Sequence, residues 1–247
     1  MKILEKLAKK QKDVFSDNAA TIVVFGDSNT QGCFECFMNE QGQIDTVFET
    51  ENSYGAKLKH ILQVLYPKAQ INLINSGISG DNATNALKRI ENSVLQYNPD
   101  LVIVSFGTND AGGGLGALDQ YKNSMDRIFS TLKNNGCDVI FMSSVLKNTY
   151  VSHRLTEAYL RELAETQVLS VEQDIDGVFF AEAGKFCKKY GFVYCDCYAK
   201  WKKMYENGVD TTNLLSNSLN HPIRELHWLF ATSLVEAIFD FTIENDG

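Results

Sequence analysis

Five short runs rich in β-branched and aromatic residues alternate with amphipathic stretches, and this alternation constrains the fold more than any other feature of the chain. The runs lie at 21–25, 71–74, 101–106, 138–142 and 191–196. Between them apolar residues recur at helical spacing, as Leu58, Ile61, Leu62 and Leu65 do within 53–66. Further helices are expected over 83–95, 118–132, 156–190, 199–205 and 224–239. Strand and helix in regular alternation specify an α/β fold with a parallel, doubly wound sheet and helices on both faces. Residues 101–106 are apolar almost throughout, which suits a central strand covered on both sides. No internal repeat or low-complexity linker breaks the pattern, so residues 1–247 read as one domain.

Two additions decorate that frame. Residues 1–18 form a helical extension in which Ile3, Leu4, Leu7 and Val14 share a face and pack on the domain. Residues 33–50 read as a β-hairpin, with 34–38 and 44–48 flanking a loop that contains Gly42. The hairpin follows the first strand directly and is expected to form one wall of any site there. Gly112, Gly113 and Gly114 are expected to form a mobile loop, and 143–156 a long connection.

Composition narrows the partners. The formal net charge of −8 gives no basic footprint for nucleic acid or an anionic membrane. No apolar run approaches the roughly 20 residues of a membrane span, and the lysine-rich N-terminus lacks a signal-peptide core. A cytoplasmic location is the expectation. Cys33 and Cys36 have C-x-x-C spacing, and Cys195 and Cys197 form a second, closer pair. The second pair is too tight for a zinc knuckle, so the six cysteines are expected to be buried or half-buried free thiols in a reducing compartment.

The chemistry is concentrated at the ends of the runs. The first run leads into Gly26-Asp27-Ser28-Asn29, the second into Gly77-Ile78-Ser79-Gly80-Asp81, and the third into Gly107-Thr108-Asn109-Asp110. A fourth polar segment, Asn220-His221-Pro222, precedes the last helix. In a doubly wound sheet, loops at the carboxyl ends of neighbouring strands converge. A serine, a glycine N–H, an asparagine amide and a histidine can therefore meet. Acyl transfer needs those parts: a hydroxyl nucleophile, an imidazole base and preorganised donors for an oxyanion.

These four blocks, in this order, resemble the SGNH (GDSL-type) hydrolases, a family of esterases, lipases, deacetylases and thioesterases with a three-layer α/β/α, flavodoxin-like fold. The resemblance implies a mainly parallel five-stranded sheet. It implies Ser28 as nucleophile and His221 as general base, with the Ser28 N–H, the Gly80 N–H and the Asn109 side chain as oxyanion hole. Asp27 and Asp110 would brace their turns. No cofactor and no metal is needed, and the substrate would be a small ester. The favoured reading is removal of a short acyl group, acetyl foremost, from a carbohydrate. The alternatives are a lysophospholipase or thioesterase of the same family, or a carbohydrate-binding relic without catalysis.

One departure from the family pattern matters. The acid usually found three residues before the histidine is replaced here by Ser218, with Asn217 and Asn220 nearby. Loss of that acid from a full triad costs about 10⁴ in rate. Either His221 works in a Ser–His dyad, held by a carbonyl or amide, or a displaced acid such as Asp210 serves it; the dyad is favoured. Of the other histidines, His60 and His153 are expected at the surface, and His227 within the last helix, too far along to reach the strand ends.

Overall fold

The computed structural model describes residues 1–240; residues 241–247, part of the expected domain span, lie outside the described residues. The strands in chain order are β1 (Ala20–Gly26), β2 (Cys33–Met38), β3 (Ile44–Phe48), β4 (Ile71–Gly77), β5 (Leu101–Ser105), β6 (Asp138–Met142) and β7 (Val193–Cys195). The helices are α1 (Lys2–Lys12), α2 (Ser28–Gln31), α3 (Tyr54–Leu65), α4 (Ala83–Ser93), α5 (Leu118–Asn135), α6 (Ala158–Glu172), α7 (Ile175–Tyr190), α8 (Cys197–Glu206) and α9 (His227–Phe239).

Five strands form an all-parallel sheet in the order β4-β1-β5-β6-β7. Ile22–Phe25 of β1 and Leu101–Val104 of β5 are fully buried, as their unbroken apolar sequence requires when both faces are covered. Helix α3 packs on α9, and α5 packs on both α4 and α7. The chain leaves β1 for β4 on one side and returns to β5 on the other, so the topological switch point lies between β1 and β5. The register pairs Gly26 with Gly77 on one side and Ser105 on the other. The polar turns after β1, β4 and β5 therefore start level with one another.

The hairpin forms as expected: β2 and β3 pair antiparallel with an irregularity between Cys33 and Cys36. Helix α1 docks at the opposite end of the sheet from the polar turns, with the Ile3 N–H on Asp138 at 2.9 Å and Lys6 on Asp100 at 2.8 Å. Its buried residues are Ile3, Leu7 and Lys10, whereas Val14 lies beyond the helix and is exposed.

Three expectations need correction. Residues 156–190 are not one helical run: α6 and α7 are separated at Gln173 and Asp174, where Asp174 adopts a left-handed φ of 52°. The segment containing Gly112–Gly114 carries 3₁₀ structure within Asp110–Ala117, interrupted by a kink at Gly114, whose left-handed φ of 64° suits glycine. The last helix begins at His227, because Arg224–Leu226 forms a separate 3₁₀ turn.

Candidate active site

The turn after β1 is shaped by what cannot fit there. A Cβ on Gly26 would stand 2.1 Å from Thr30 Oγ1 and 2.7 Å from the Ser105 carbonyl. A Cβ on Gly77 would stand 2.3 Å from the Gln31 nitrogen. Both glycines let α2 settle directly onto the strand ends. Asp27 is the N-cap of α2, its carboxylate accepting from the Asn29 N–H at 3.0 Å. Ser28 is the first residue of that helix, so its own N–H is one of the donors a helix start leaves over.

The structure brings Ser28 and His221 into contact. Ser28 Oγ lies 3.0 Å from His221 Nε2. On the other side of the ring, Nδ1 lies 2.8 Å from the Phe34 carbonyl. A carbonyl can only accept, so Nδ1 carries the proton and Nε2 presents its lone pair to the Ser28 hydroxyl. That is the tautomer a general base requires. Burial lowers the pKa of His221, with the Phe34 hydrogen bond and the Glu35 carboxylate opposing that shift.

The loop carrying His221 is held from within. Asn217 Oδ1 accepts from the N–H groups of Leu219, Asn220 and His221 at 3.0, 2.9 and 2.9 Å. Ser218, in the place of the missing acid, has a left-handed φ of 57° and points no charge at the ring. Asn29 ties the loop to α2, its Nδ2 donating to the Asn220 carbonyl at 3.2 Å and to Ser144 Oγ at 3.1 Å. Asp210 is engaged elsewhere: it accepts from the Tyr150 hydroxyl at 2.9 Å and from Asn213 Nδ2 at 2.6 Å. The displaced-acid alternative thus has no support at Asp210, because the position such an acid would take on Nδ1 is occupied by the Phe34 carbonyl.

Gly80 and Asn109 meet through Asp81. Asn109 Nδ2 donates one hydrogen to the Asp81 carbonyl at 2.8 Å, which leaves its second N–H. Gly80 sits at a φ of 75° with open space around it, and its N–H has no acceptor among the described residues. Asp81 is fixed by Arg89, whose Nη2 lies 2.6 Å from it and 3.3 Å from the Gly26 carbonyl. Asp110 accepts from the Ala83 N–H at 3.1 Å. Burial pushes the Asp27 carboxyl up to about 7 and Asp110 up to about 6, with neighbouring carboxylates adding to both.

A cavity of about 520 Å³ opens beside Asn109 and Asn220. Thr108, Lys147, Gln167 and Ser170 contribute to its wall together with Leu115 and Leu163. Gln167 Oε1 and Ser170 Oγ are buried there without a hydrogen-bond partner among the described residues. Lys147 Nζ donates to the Thr108 carbonyl at 3.1 Å and to Asp176 at 2.9 Å, leaving a third N–H.

His227 is buried at the start of α9, where Nδ1 accepts from the Tyr54 N–H at 3.0 Å and the ring packs 5.1 Å from Phe34. Its role is to support Phe34 from behind, a contact that its place in the sequence did not announce. His60 and His153 are exposed, as expected. The cysteines are all free, and burial lifts Cys33 and Cys187 to about 12 and Cys137 to about 11, which keeps these thiols protonated and inert. Among the described residues no helix is long and apolar enough to cross a membrane.

The sequence profile of the GDSL-like lipase/acylhydrolase family matches residues 24–229, a span that runs from β1 into α9 and includes all four polar blocks. An arylesterase of Vibrio mimicus is 32% identical over 72 residues, which are 29% of this chain and 36% of that protein. An acetylxylan esterase of Geobacillus stearothermophilus is 37% identical over 57 residues, 23% of this chain and 26% of that protein. The matched stretches therefore span about a third or less of these relatives' own length. Among solved structures, an acetyl-xylooligosaccharide esterase of Geobacillus stearothermophilus superposes with a TM-score of 0.64 at 19% identity, covering 89% of this chain and 94% of the other.

Proposed function

The chain belongs to the GDSL-like lipase/acylhydrolase family, and on that premise we propose that it is a carboxylic ester hydrolase that removes a short acyl group, acetyl foremost, from a carbohydrate or similar polar alcohol. The observation that carries this reading is the Ser28–His221 contact at 3.0 Å with Nδ1 anchored on the Phe34 carbonyl.

Ser28 Oγ attacks the acyl carbonyl while its proton passes to His221 Nε2. The oxyanion that forms is met by the N–H groups of Ser28 and Gly80 and by the second N–H of Asn109. Each such donor is worth roughly 3–4 kcal/mol when it is preorganised. The tetrahedral intermediate collapses, the bond to the alcohol oxygen breaks, and Nε2 returns the proton to that oxygen. Water then attacks the acyl-Ser28 ester with His221 again as base, and the acid leaves. Asp27, Asp81 and Asp110 brace the turns and take no proton from substrate.

The cavity beside Asn109 has a mixed wall in which Thr108, Asn109, Lys147 and Asn220 stand among leucines, and those polar groups offer partners to a hydroxyl-bearing alcohol. The acetylxylan esterase among the relatives points the same way. The test is acetate release from acetylated xylo-oligosaccharides, with p-nitrophenyl acetate and octanoate in parallel. The wild type should cleave the acetylated sugar and the acetyl ester, and Ser28→Ala should lose several orders of magnitude. Preference for octanoate would overturn the substrate reading. Turnover that survives Ser28→Ala would overturn the mechanism.

A further inference from the structure

The Phe34 carbonyl orients His221 but carries no charge, whereas the imidazolium formed in the transition state is stabilised by a negative charge nearby. The structure holds such a charge one residue away. Arg224 follows His221 by three residues, in the 3₁₀ turn Arg224–Leu226. Its Nη1 and Nη2 grip the two oxygens of Glu35 at 2.7 and 3.0 Å. Its Nε donates to Glu49 Oε2 at 2.7 Å, and Nη2 also reaches Glu49 Oε1. The guanidinium lies 4.3 Å over the Phe34 ring.

The three residues come from three places. Glu35 is the neighbour of Phe34 on β2. Glu49 follows β3 and closes the hairpin base, its N–H on the Gly32 carbonyl at 2.8 Å. Arg224 belongs to the segment that carries the base. One planar, fork-shaped cation thus joins both strands of the hairpin to that segment, a geometry lysine cannot reproduce. Two carboxylates against one guanidinium leave a surplus of one negative charge.

We propose that Arg224, Glu35 and Glu49 replace the missing triad acid: the clamp positions the Phe34 carbonyl on His221 Nδ1, and its surplus negative charge favours the imidazolium. The proposal rests on the reading of His221 as general base. The three are positioning residues, since none touches Ser28. The groups that face the imidazole are Ser28 from α2, Phe34 and Glu35 from β2, and His227 from α9, behind which Lys57 of α3 adds a positive charge that all the variants below retain. Burial drives His227 down to about 3, so it is neutral and contributes no charge near pH 7. Asn217 and Asn220 in the loop of His221 itself are neutral as well.

Charge and position separate in three variants. Glu49→Gln makes the clamp neutral, Arg224→Met makes it doubly negative, and Arg224→Lys keeps the charge but loses the fork. The pH profile of kcat/KM for p-nitrophenyl acetate reads the base. Its acid limb should move down by about 0.3–0.5 pH unit in Glu49→Gln and up by a similar amount in Arg224→Met. Arg224→Lys should leave the limb in place and lower kcat about tenfold with KM unchanged. A role in folding alone would move both charge variants the same way, or neither. Titration of His221 followed by NMR in a Ser28→Ala background gives the same pair of opposite shifts without turnover. If the wild type shows no Ser28-dependent hydrolysis, the enzyme reading fails while this titration still decides the charge effect. Unmoved or parallel shifts in Glu49→Gln and Arg224→Met, or an Arg224→Lys protein equal to wild type in kcat, would overturn the proposal.

Discussion

Replacing Asp27 by Asn removes a buried carboxyl one residue before Ser28 and should stabilise the protein in a pH-dependent way. Asp27 is 2% exposed, and burial together with Asp110 and Asp81 raises its pKa from 3.8 to about 7. Between those two values the folded state holds a proton that the unfolded state has released. Stability therefore falls as pH rises through this window and levels off above the folded pKa. A raised pKa of about 3 units corresponds to about 4 kcal/mol lost at high pH relative to a group that stays neutral. About half of that loss, about 2 kcal/mol, accrues between pH 5.5 and 8.5. Asn keeps an oxygen to accept from the Asn29 N–H and caps a helix as well as Asp does. Its second amide hydrogen lacks an assured acceptor, which offsets about 1–3 kcal/mol at every pH. The pH-dependent part is thus the cleaner quantity. Urea denaturation of both proteins at pH 5.5, 7 and 8.5 measures it. The stability of Asp27→Asn relative to wild type should rise by about 2 kcal/mol across the series. A difference that stays flat with pH, or one that falls, would show that Asp27 titrates as an ordinary carboxylate and that the burial argument is wrong.

Other outcomes follow from the same geometry. Asp210→Asn should leave kcat within about twofold of wild type, against the 10⁴ loss expected of a triad acid, because Asp210 faces Tyr150 and Asn213. The acid limb of kcat/KM should lie below the ordinary histidine value of about 6.5, since burial lowers the His221 pKa and the neutral base persists to lower pH; a limb at or above that value would contradict the effect of burial. Gly77→Ala should displace α2 and lower kcat by about 100-fold, because the added Cβ meets the Gln31 nitrogen at 2.3 Å; circular dichroism and a thermal melt separate displacement from unfolding.

Much of the frame was legible in the sequence. Continuous apolar runs gave the five strands, since a strand buried on both faces shows no polar alternation. Ser53 and Asn82 cap α3 and α4 with their side chains and Gly136 closes α5 in a left-handed conformation, residue types that favour those positions. The break at Gln173 and Asp174 was hidden because neither Gly nor Pro stands there, and Asp adopts the left-handed conformation at modest cost. The 3₁₀ turns around the Gly114 kink were not legible, because glycine composition does not fix where such turns form.

At the site, Ser28 and His221 stood out because their residue types are chemically distinctive and lie at strand ends. The acceptor on Nδ1 did not stand out, because every residue has a carbonyl and only tertiary structure selects that of Phe34. The Arg224 clamp was equally hidden, its partners lying 175 and 189 residues away. Its three residues look in the sequence like ordinary surface charges. His227 was placed in the right element, but its contact with Phe34 depends on α9 starting at that residue.

The central claim is that Ser28 is a nucleophile activated by His221. A fluorophosphonate reacts with a serine only when that serine is activated, and it leaves a stable covalent mass tag. Intact-mass analysis of the treated protein, followed by peptide mapping, reads both the number of tags and their position. One tag per chain is expected, on the peptide containing Ser28, absent in Ser28→Ala and slowed by orders of magnitude in His221→Ala. An untagged wild type, or a tag on any other residue, would contradict it.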